Sequence, residues 1–217
     1  GSITGDGIAA GATIQRRADV AGIVEAADRA RLDRRVLSPP PFTYRYWNDA
    51  GESLELCRLL NDATAAVVEQ HPDRCLGLAT VPLQDTEAAI PELVRANDEL
   101  GCTVVTNVGG GNVSDAVRWP FLGAAAERNM PVLVHPDFVP NPRLGDYYLI
   151  NVLGMPNESA TTMSNMLFSG IFTEFNDLRV AFMHGGGSAP YLFGRWDAAF
   201  RLRPESRIAI DRPPTEL

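Results

Sequence analysis

The feature that most constrains this chain is a repeated alternation of amphipathic helical segments with short, mainly apolar strands. Apolar residues at successive positions, rather than at every second one, indicate strands that are buried on both faces. The strand segments predicted in this way are residues 35–38, 75–83, 102–108, 131–135 and 179–184. Helical spacing of apolar residues occupies residues 19–32, 54–70, 86–100, 116–129, 159–175 and 191–202. This order predicts an α/β fold in which helices cover a parallel sheet.

The length of the connections fits either a doubly wound open sheet or a closed barrel, and periodicity alone does not choose between them. The chain has 217 residues, which is enough for one sizeable core. Residues 1–18 are rich in glycine, alanine and threonine without a regular period. We therefore expect a loose N-terminal segment at residues 1–18, followed by a single domain at residues 19–217.

Charge and cysteine content narrow the classes of partner and the compartment. The chain has 27 acidic and 19 basic side chains and a net charge of −8. Because a surface of this sign repels phosphate groups, nucleic acids and anionic membranes are not expected as partners. The three cysteines, Cys57, Cys75 and Cys102, are odd in number and form no CxxC pair. We therefore expect reduced thiols in a cytoplasmic protein. Cys75 and Cys102 each open an apolar run and are expected to be buried.

Two of the three histidines stand where a predicted strand ends. His135 closes the strand at residues 131–135, and His184 closes the strand at residues 179–184. Ligands of parallel α/β proteins bind at the carboxyl ends of the strands, so the two side chains are candidates for one site. A single histidine at such a place is more often structural, but two equivalent positions favour a shared pocket. His71 lies in a polar helix-to-strand loop and receives no role.

Glycine runs follow two of the predicted strands. Residues 185–187 are three glycines, and their backbone N–H groups could hold an anion or could simply form a tight turn. The glycines at residues 109–111 fit neither a dinucleotide loop nor a P-loop, and no GxSxG motif is present. In the loop after His135, the side chains of Asp137, Arg143 and Asp146 are expected to be at the surface.

Several motifs in the same order resemble a known family. They are residues 154–158 (GMPNE), 168–172 (FSGIF) and 179–187 (RVAFMHGGG), with weaker matches at residues 81–85, 134–136 and 194–195. Together they resemble the amidohydrolase-related decarboxylases from about residue 19 to about residue 214. The resemblance implies a parallel (β/α)8 barrel of the TIM type, of which this chain holds strands two to six.

The resemblance also implies a site and a reaction. The family binds a divalent metal, usually zinc, and removes CO₂ without oxidation from an unsaturated or aromatic carboxylic acid. His135 matches a metal ligand, and His184 matches the residue that acts on metal-bound water. Arg195 matches an arginine that binds the substrate carboxylate across a dimer interface. Tyr148 matches an aromatic wall residue of the substrate site, in which Gly185 and Gly186 are also expected.

Two departures from the family pattern lead to a further expectation. The sequence contains no HxH pair, and the final strand with a metal-binding aspartate has no match. Because catalytic zinc needs about three protein ligands, we expect the chain alone to bind metal weakly and to have little activity. Two alternatives stay open: an amidohydrolase-type hydrolase, hydratase or tautomerase, or a non-catalytic remnant with a role in assembly.

Overall fold

The computed structural model describes residues 20–107, 113–136 and 139–217. Its helices, in chain order, are α1 (Val20–Arg29), α2 (Ala50–Gln70), α3 (Thr86–Asp98), α4 (Trp119–Glu127), α5 (Met155–Phe168), α6 (Ile171–Glu174) and α7 (Phe193–Leu202). Its strands are β1 (Arg35–Leu37), β2 (Cys75–Thr80), β3 (Thr103–Asn107), β4 (Val132–His135) and β5 (Val180–Phe182). The N-terminal segment expected at residues 1–18, the glycines 109–111 and Asp137 lie outside the described residues.

The five strands form one sheet in the order β1-β2-β3-β4-β5, and every neighbouring pair is parallel. Each strand therefore pairs with the next strand in the chain. The helix between them returns the chain from the carboxyl end of one strand to the amino end of the next. This arrangement confirms the predicted parallel α/β fold. It also brings all the carboxyl ends of the strands to one edge of the sheet.

The main core lies between the sheet and helices α3, α4 and α5. It contains Leu93, Phe121, Val132 and Met166, none of which is exposed to solvent. The close approach of α2 to β2 depends on Gly77, where a Cβ atom would lie 3.0 Å from the Thr64 side chain. A small residue is therefore needed at this point of the sheet.

Several elements end earlier than their patterns indicated. The strand predicted at residues 75–83 ends at Thr80, since Pro82 has no N–H group to continue the ladder. The single helix predicted at residues 159–175 begins at Met155 and is interrupted at Gly170, whose φ is +84°. A Cβ atom there would lie 2.7 Å from the Ala209 carbonyl oxygen. Close packing of the C-terminal tail against this turn therefore divides the helix.

Apolar side chains near the outer strand β1 are partly exposed to solvent. Val36 is 55% exposed and Leu76, its register partner on β2, is 44% exposed. Further along the same face, Tyr44 and Tyr46 stack on each other and cover Leu78. The predicted burial of Cys75 and Cys102 is confirmed, and Cys57 is buried and free as well. Within the described ranges, no helix has the length and apolar character needed to cross a bilayer.

Candidate active site

The carboxyl ends of β4 and β5 bring His135 and His184 together. Their ring centroids are 5.0 Å apart, and the rings meet edge to face at 80°. Register explains the contact, because Val134 pairs with Phe182 and the N–H of Met183 continues the ladder by donating to the Val134 carbonyl at 3.0 Å. This geometry agrees with the expectation that the two strands are adjacent and that their histidines lie close together.

Backbone contacts of His135 specify its tautomer. Its Nδ1 atom lies 2.6 Å from the carbonyl oxygen of Pro136, the next residue in the chain. Because a carbonyl only accepts, Nδ1 is the donor in this contact, and in the neutral ring the lone pair is then on Nε2. That is the form in which an imidazole can bind a metal or accept a proton. The side chain is half-buried, and its strand neighbour in register is Asn107 of β3.

His184 has an unusual backbone conformation. Its φ is +56°, in the left-handed region that residues other than glycine rarely adopt, and Gly185, Gly186 and Gly187 continue with φ of +65°, +75° and +62°. The imidazole is exposed to solvent. Left-handed backbone at a non-glycine residue costs about 1–2 kcal/mol and is found at sites where surrounding contacts enforce it.

The glycines after His184 form a tight turn. The N–H of Gly186 donates to the Met183 carbonyl at 3.2 Å, and the N–H of Gly187 donates to the His184 carbonyl at 3.1 Å. These two donors are therefore engaged inside the turn, which favours the tight-turn interpretation over an anion cradle at Gly186. Gly185 is exposed, and a Cβ atom there would meet nothing within 4 Å. The turn leads to α7 through a short 3₁₀ segment, so that helix begins at Phe193 and not at residue 191.

Tyr148 and Arg195 both lie at the surface of the protein. Tyr148 is 69% exposed and has φ of +60° in the turn before α5. Arg195 is exposed on the first turn of α7. Arg143 and Asp146 are also exposed, as expected. The site roles predicted for Tyr148 and Arg195 therefore stay predictions.

A cleft of about 970 Å³ runs from the outer edge of β1, which has no partner strand in the described sheet, to the carboxyl end of β4 at His135. Its walls come from α1, β1 and α2, and most are apolar, with Ile23, Val36 and Leu60 among the lining residues. At the far end it is lined by His135 and Met183. The residues that line the cleft beside His135 were not identified from the sequence, because Met183 has no distinguishing pattern apart from its place before a histidine.

The described residues do not make a complete metal site. Within residues 20–107, 113–136 and 139–217, no three side chains of the His, Cys, Asp and Glu types come together as a possible metal-binding group. His135 and His184 supply two imidazoles, whereas a catalytic zinc site has about three protein ligands. The expectation that the chain alone binds metal weakly stays a prediction.

Comparisons with known proteins give a consistent result. The sequence profile of the family described as Amidohydrolase matches residues 15–206. The 2-amino-3-carboxymuconate-6-semialdehyde decarboxylase of Dictyostelium discoideum is 36% identical over 186 residues, which cover 84% of this chain and 52% of that protein. The chain thus spans about half the length of this curated relative.

Solved structures match the fold over most of the chain. A 2,6-dihydroxybenzoate decarboxylase in complex with 2,6-dihydroxybenzoate is 26% identical, with a TM-score of 0.75, and the match covers 87% of this chain and 63% of that one. A dihydroxybenzoic acid decarboxylase from Polaromonas sp. JS666, solved with bound manganese and 2-nitroresorcinol, is 24% identical. Its TM-score is 0.76 and the match covers 89% of this chain and 63% of that one.

Proposed function

Because the chain belongs to the amidohydrolase family, we propose that it acts in the non-oxidative decarboxylation of an unsaturated or aromatic carboxylic acid. The observation that carries the proposal is the contact of His135 with His184 at the carboxyl edge of a parallel sheet. Decarboxylases among the relatives, including one solved with a dihydroxybenzoate bound, favour a small carboxylate as the substrate.

The roles proposed for the two histidines differ because their surroundings differ. His135 is half-buried, and its Nδ1 atom contacts the Pro136 carbonyl, so that in the neutral ring the lone pair on Nε2 would suit a metal ligand. His184 is exposed at the end of a turn, which suits a group that exchanges a proton with water and with the substrate. Loss of CO₂ leaves a carbon that must gain a proton, and a histidine within reach of that carbon can deliver it.

We propose a divalent metal as the cofactor, with His135 as one ligand. Manganese is bound in a solved structural relative, and zinc stays a prediction for this chain. A bound divalent ion would stabilise negative charge and acidify water. Since the described residues supply too few ligands, tight binding requires ligands from other parts of the polypeptide. Titration of the purified chain with Zn²⁺ and Mn²⁺ by calorimetry tests this requirement, and tight one-to-one binding by His135 and His184 alone would contradict it.

The described sheet is proposed to be strands two to six of an eight-stranded barrel. Three observations support the proposal. The outer edge of β1 is unpaired in the described sheet, the register partners Val36 and Leu76 are exposed at this end of the sheet, and a mainly apolar cleft runs beside β1. An apolar parallel edge is normally covered by another strand. Further strands would cover these side chains and extend the ring of strand ends around His135.

The remaining site residues are proposed at the rim. Arg195, exposed on α7, would bind a substrate carboxylate held by a second subunit of a dimer, and Tyr148 would form an aromatic wall. Gly185 is proposed to border the substrate. The assignments of residues 19–217 to one domain and of the protein to the cytoplasm are proposals of the same kind.

Product analysis tests the proposed reaction. The purified chain, and the longest form encoded by its reading frame, would be incubated with Zn²⁺ or Mn²⁺ and with carboxylated aromatic and muconate-type acids, and in parallel with amides and lactones. We expect release of CO₂ that depends on His184, with most activity in the longer form. Hydrolysed, hydrated or tautomerised products without CO₂ would assign the chain to the alternative reactions. Unchanged activity of the longer form after His184→Ala would support the non-catalytic alternative.

A further inference from the structure

The turn that carries His184 is attached to the start of a helix that follows His135 in the chain. The N–H of Ser188 donates to the Pro156 carbonyl oxygen at 3.2 Å, and the Ser188 hydroxyl donates to Oδ1 of Asn157 at 3.0 Å. Pro156 and Asn157 lie in the first turn of α5, within the GMPNE motif. The two motifs that are separate in the sequence, GMPNE and HGGG, therefore form one structural unit.

Gly187 makes this attachment possible. A Cβ atom on Gly187 would lie 2.1 Å from the Pro156 carbonyl oxygen and 2.7 Å from its carbonyl carbon. These are backbone atoms that cannot move aside, so only glycine permits such a close approach. One residue earlier, a Cβ atom on Gly186 would lie 3.1 Å from the Met163 methyl group. Successive residues of the turn thus pack directly on α5.

The attachment also bears on the orientation of His184. Four consecutive residues with positive φ lie between Met183 and Ser188, and three of them are glycines, for which many backbone conformations have similar energies. Such a segment does not by itself hold His184 in left-handed backbone with its ring against His135. The hydrogen bonds of Ser188 fix the end of the segment, while the ladder bond of Met183 fixes its beginning.

We propose that Ser188 and Asn157 are positioning residues, whose hydrogen bond holds the His184 imidazole against that of His135. Neither side chain needs to touch a substrate for this role. The positioning itself follows from contacts in the described chain, and only its effect on turnover rests on the proposed function. The matched control is Ser164, also on α5, whose hydroxyl bonds locally to the Thr161 carbonyl at 2.9 Å.

Nuclear magnetic resonance can measure the positioning directly. The chain has only three histidines, so a sample labelled at histidine gives a simple spectrum in which ring protons of His135 and His184 should show a mutual cross-peak. We expect Ser188→Ala and Asn157→Ala to lose or strongly weaken this cross-peak, and the double variant to lose no more than either single one. Asn157→Asp retains the acceptor oxygen and should keep the cross-peak, as should Ser164→Ala. Melting temperatures report whether each variant is folded.

Several results would overturn the inference. The first is that the cross-peak survives in Ser188→Ala, in Asn157→Ala and in the double variant. The second is that Asn157→Asp or Ser164→Ala loses it. The third is that the unsubstituted chain does not show it. In the form of the protein that shows turnover, the two alanine variants should lower kcat by about 10- to 100-fold with little change in KM. If no decarboxylation is found while the cross-peaks behave as expected, the proposed function fails and the positioning inference stands.

Discussion

Asn61 and Glu92 form a hydrogen bond of 2.7 Å in the interior between α2 and α3, from the amide nitrogen of Asn61 to Oε1 of Glu92. Asn61 also binds the backbone of Thr80 in both directions, at 2.9 Å and 2.8 Å. Glu92 is 0% exposed and accepts two further hydrogen bonds from Arg95 at 2.9 Å and 2.8 Å. This bond raises the pKa of Arg95 above its ordinary value. A buried carboxylate thus joins two helices to the end of β2.

Removal of the Glu92 charge should destabilise the fold. We expect Glu92→Gln to lower the free energy of unfolding by about 2–3 kcal/mol. Arg95 loses its buried anionic partner in this variant, although water can hydrate part of its guanidinium group. Urea denaturation measures the change. Asp62 is the control, since it also binds Arg95, at 2.7 Å, but is 58% exposed in its side chain. Asp62→Ala should lower the free energy of unfolding by only about 0.5 kcal/mol. Equal losses for the two variants would contradict the structural role given to the buried Glu92 carboxylate.

Alkaline pH should destabilise the protein through Cys57. Burial raises the pKa of this thiol from 9.0 to about 12. Between these values the unfolded chain releases the thiol proton and the folded chain retains it, so the free energy of unfolding falls as pH rises. The contribution is fully present below pH 9, and Cys57 alone accounts for a slope of about 1.4 kcal/mol per pH unit.

The effect of Cys57 can be isolated by substitution. Other buried groups also contribute to the loss of stability at alkaline pH, because burial raises the pKa values of Tyr44 and Cys102. The informative quantity is therefore the difference between the unsubstituted chain and Cys57→Ala in urea denaturation at several alkaline pH values. We expect a shallower loss of stability in the variant. Parallel curves would mean that the thiol does not retain its proton in the folded state.

Gly187 and Gly185 should differ sharply in their tolerance of alanine, although both have positive φ. Gly187→Ala forces a methyl group against the Pro156 carbonyl and should lower the free energy of unfolding by about 3 kcal/mol. Gly185→Ala meets open space and should cost only about 1 kcal/mol for left-handed backbone. Thermal or urea unfolding of both variants checks the contrast. Similar losses would show that conformation, and not the approach to Pro156, is what requires glycine.

His184 should matter for turnover and hardly at all for stability. Its imidazole is exposed, so His184→Ala should leave the melting temperature nearly unchanged. Proton transfer by a side chain contributes about 10²- to 10⁴-fold to a rate, and we expect a loss of kcat in this range. His71→Ala is the control, because His71 takes part through its backbone at the end of α2. A loss of activity of similar size in both variants would contradict the role of His184.

The amino-acid sequence by itself determined which elements form and where two histidines stand on them. Continuous apolar runs indicate strands with apolar side chains on both faces, and the helical segments between them require parallel pairing. A histidine directly after such a run must lie at the carboxyl edge of the sheet. The positions of His135 and His184 at the ends of adjacent strands therefore followed from local patterns, and so did the burial of Cys75 and Cys102.

Only the tertiary structure decided how those residues are held. The tautomer of His135 depends on a 2.6 Å contact with Pro136, and the left-handed backbone of His184 depends on contacts beyond the glycines. The attachment of Ser188 to Pro156 and Asn157 joins segments that no periodicity relates. The physical reason is that hydrogen bonds and close approaches between distant segments arise only when the helices pack on the sheet.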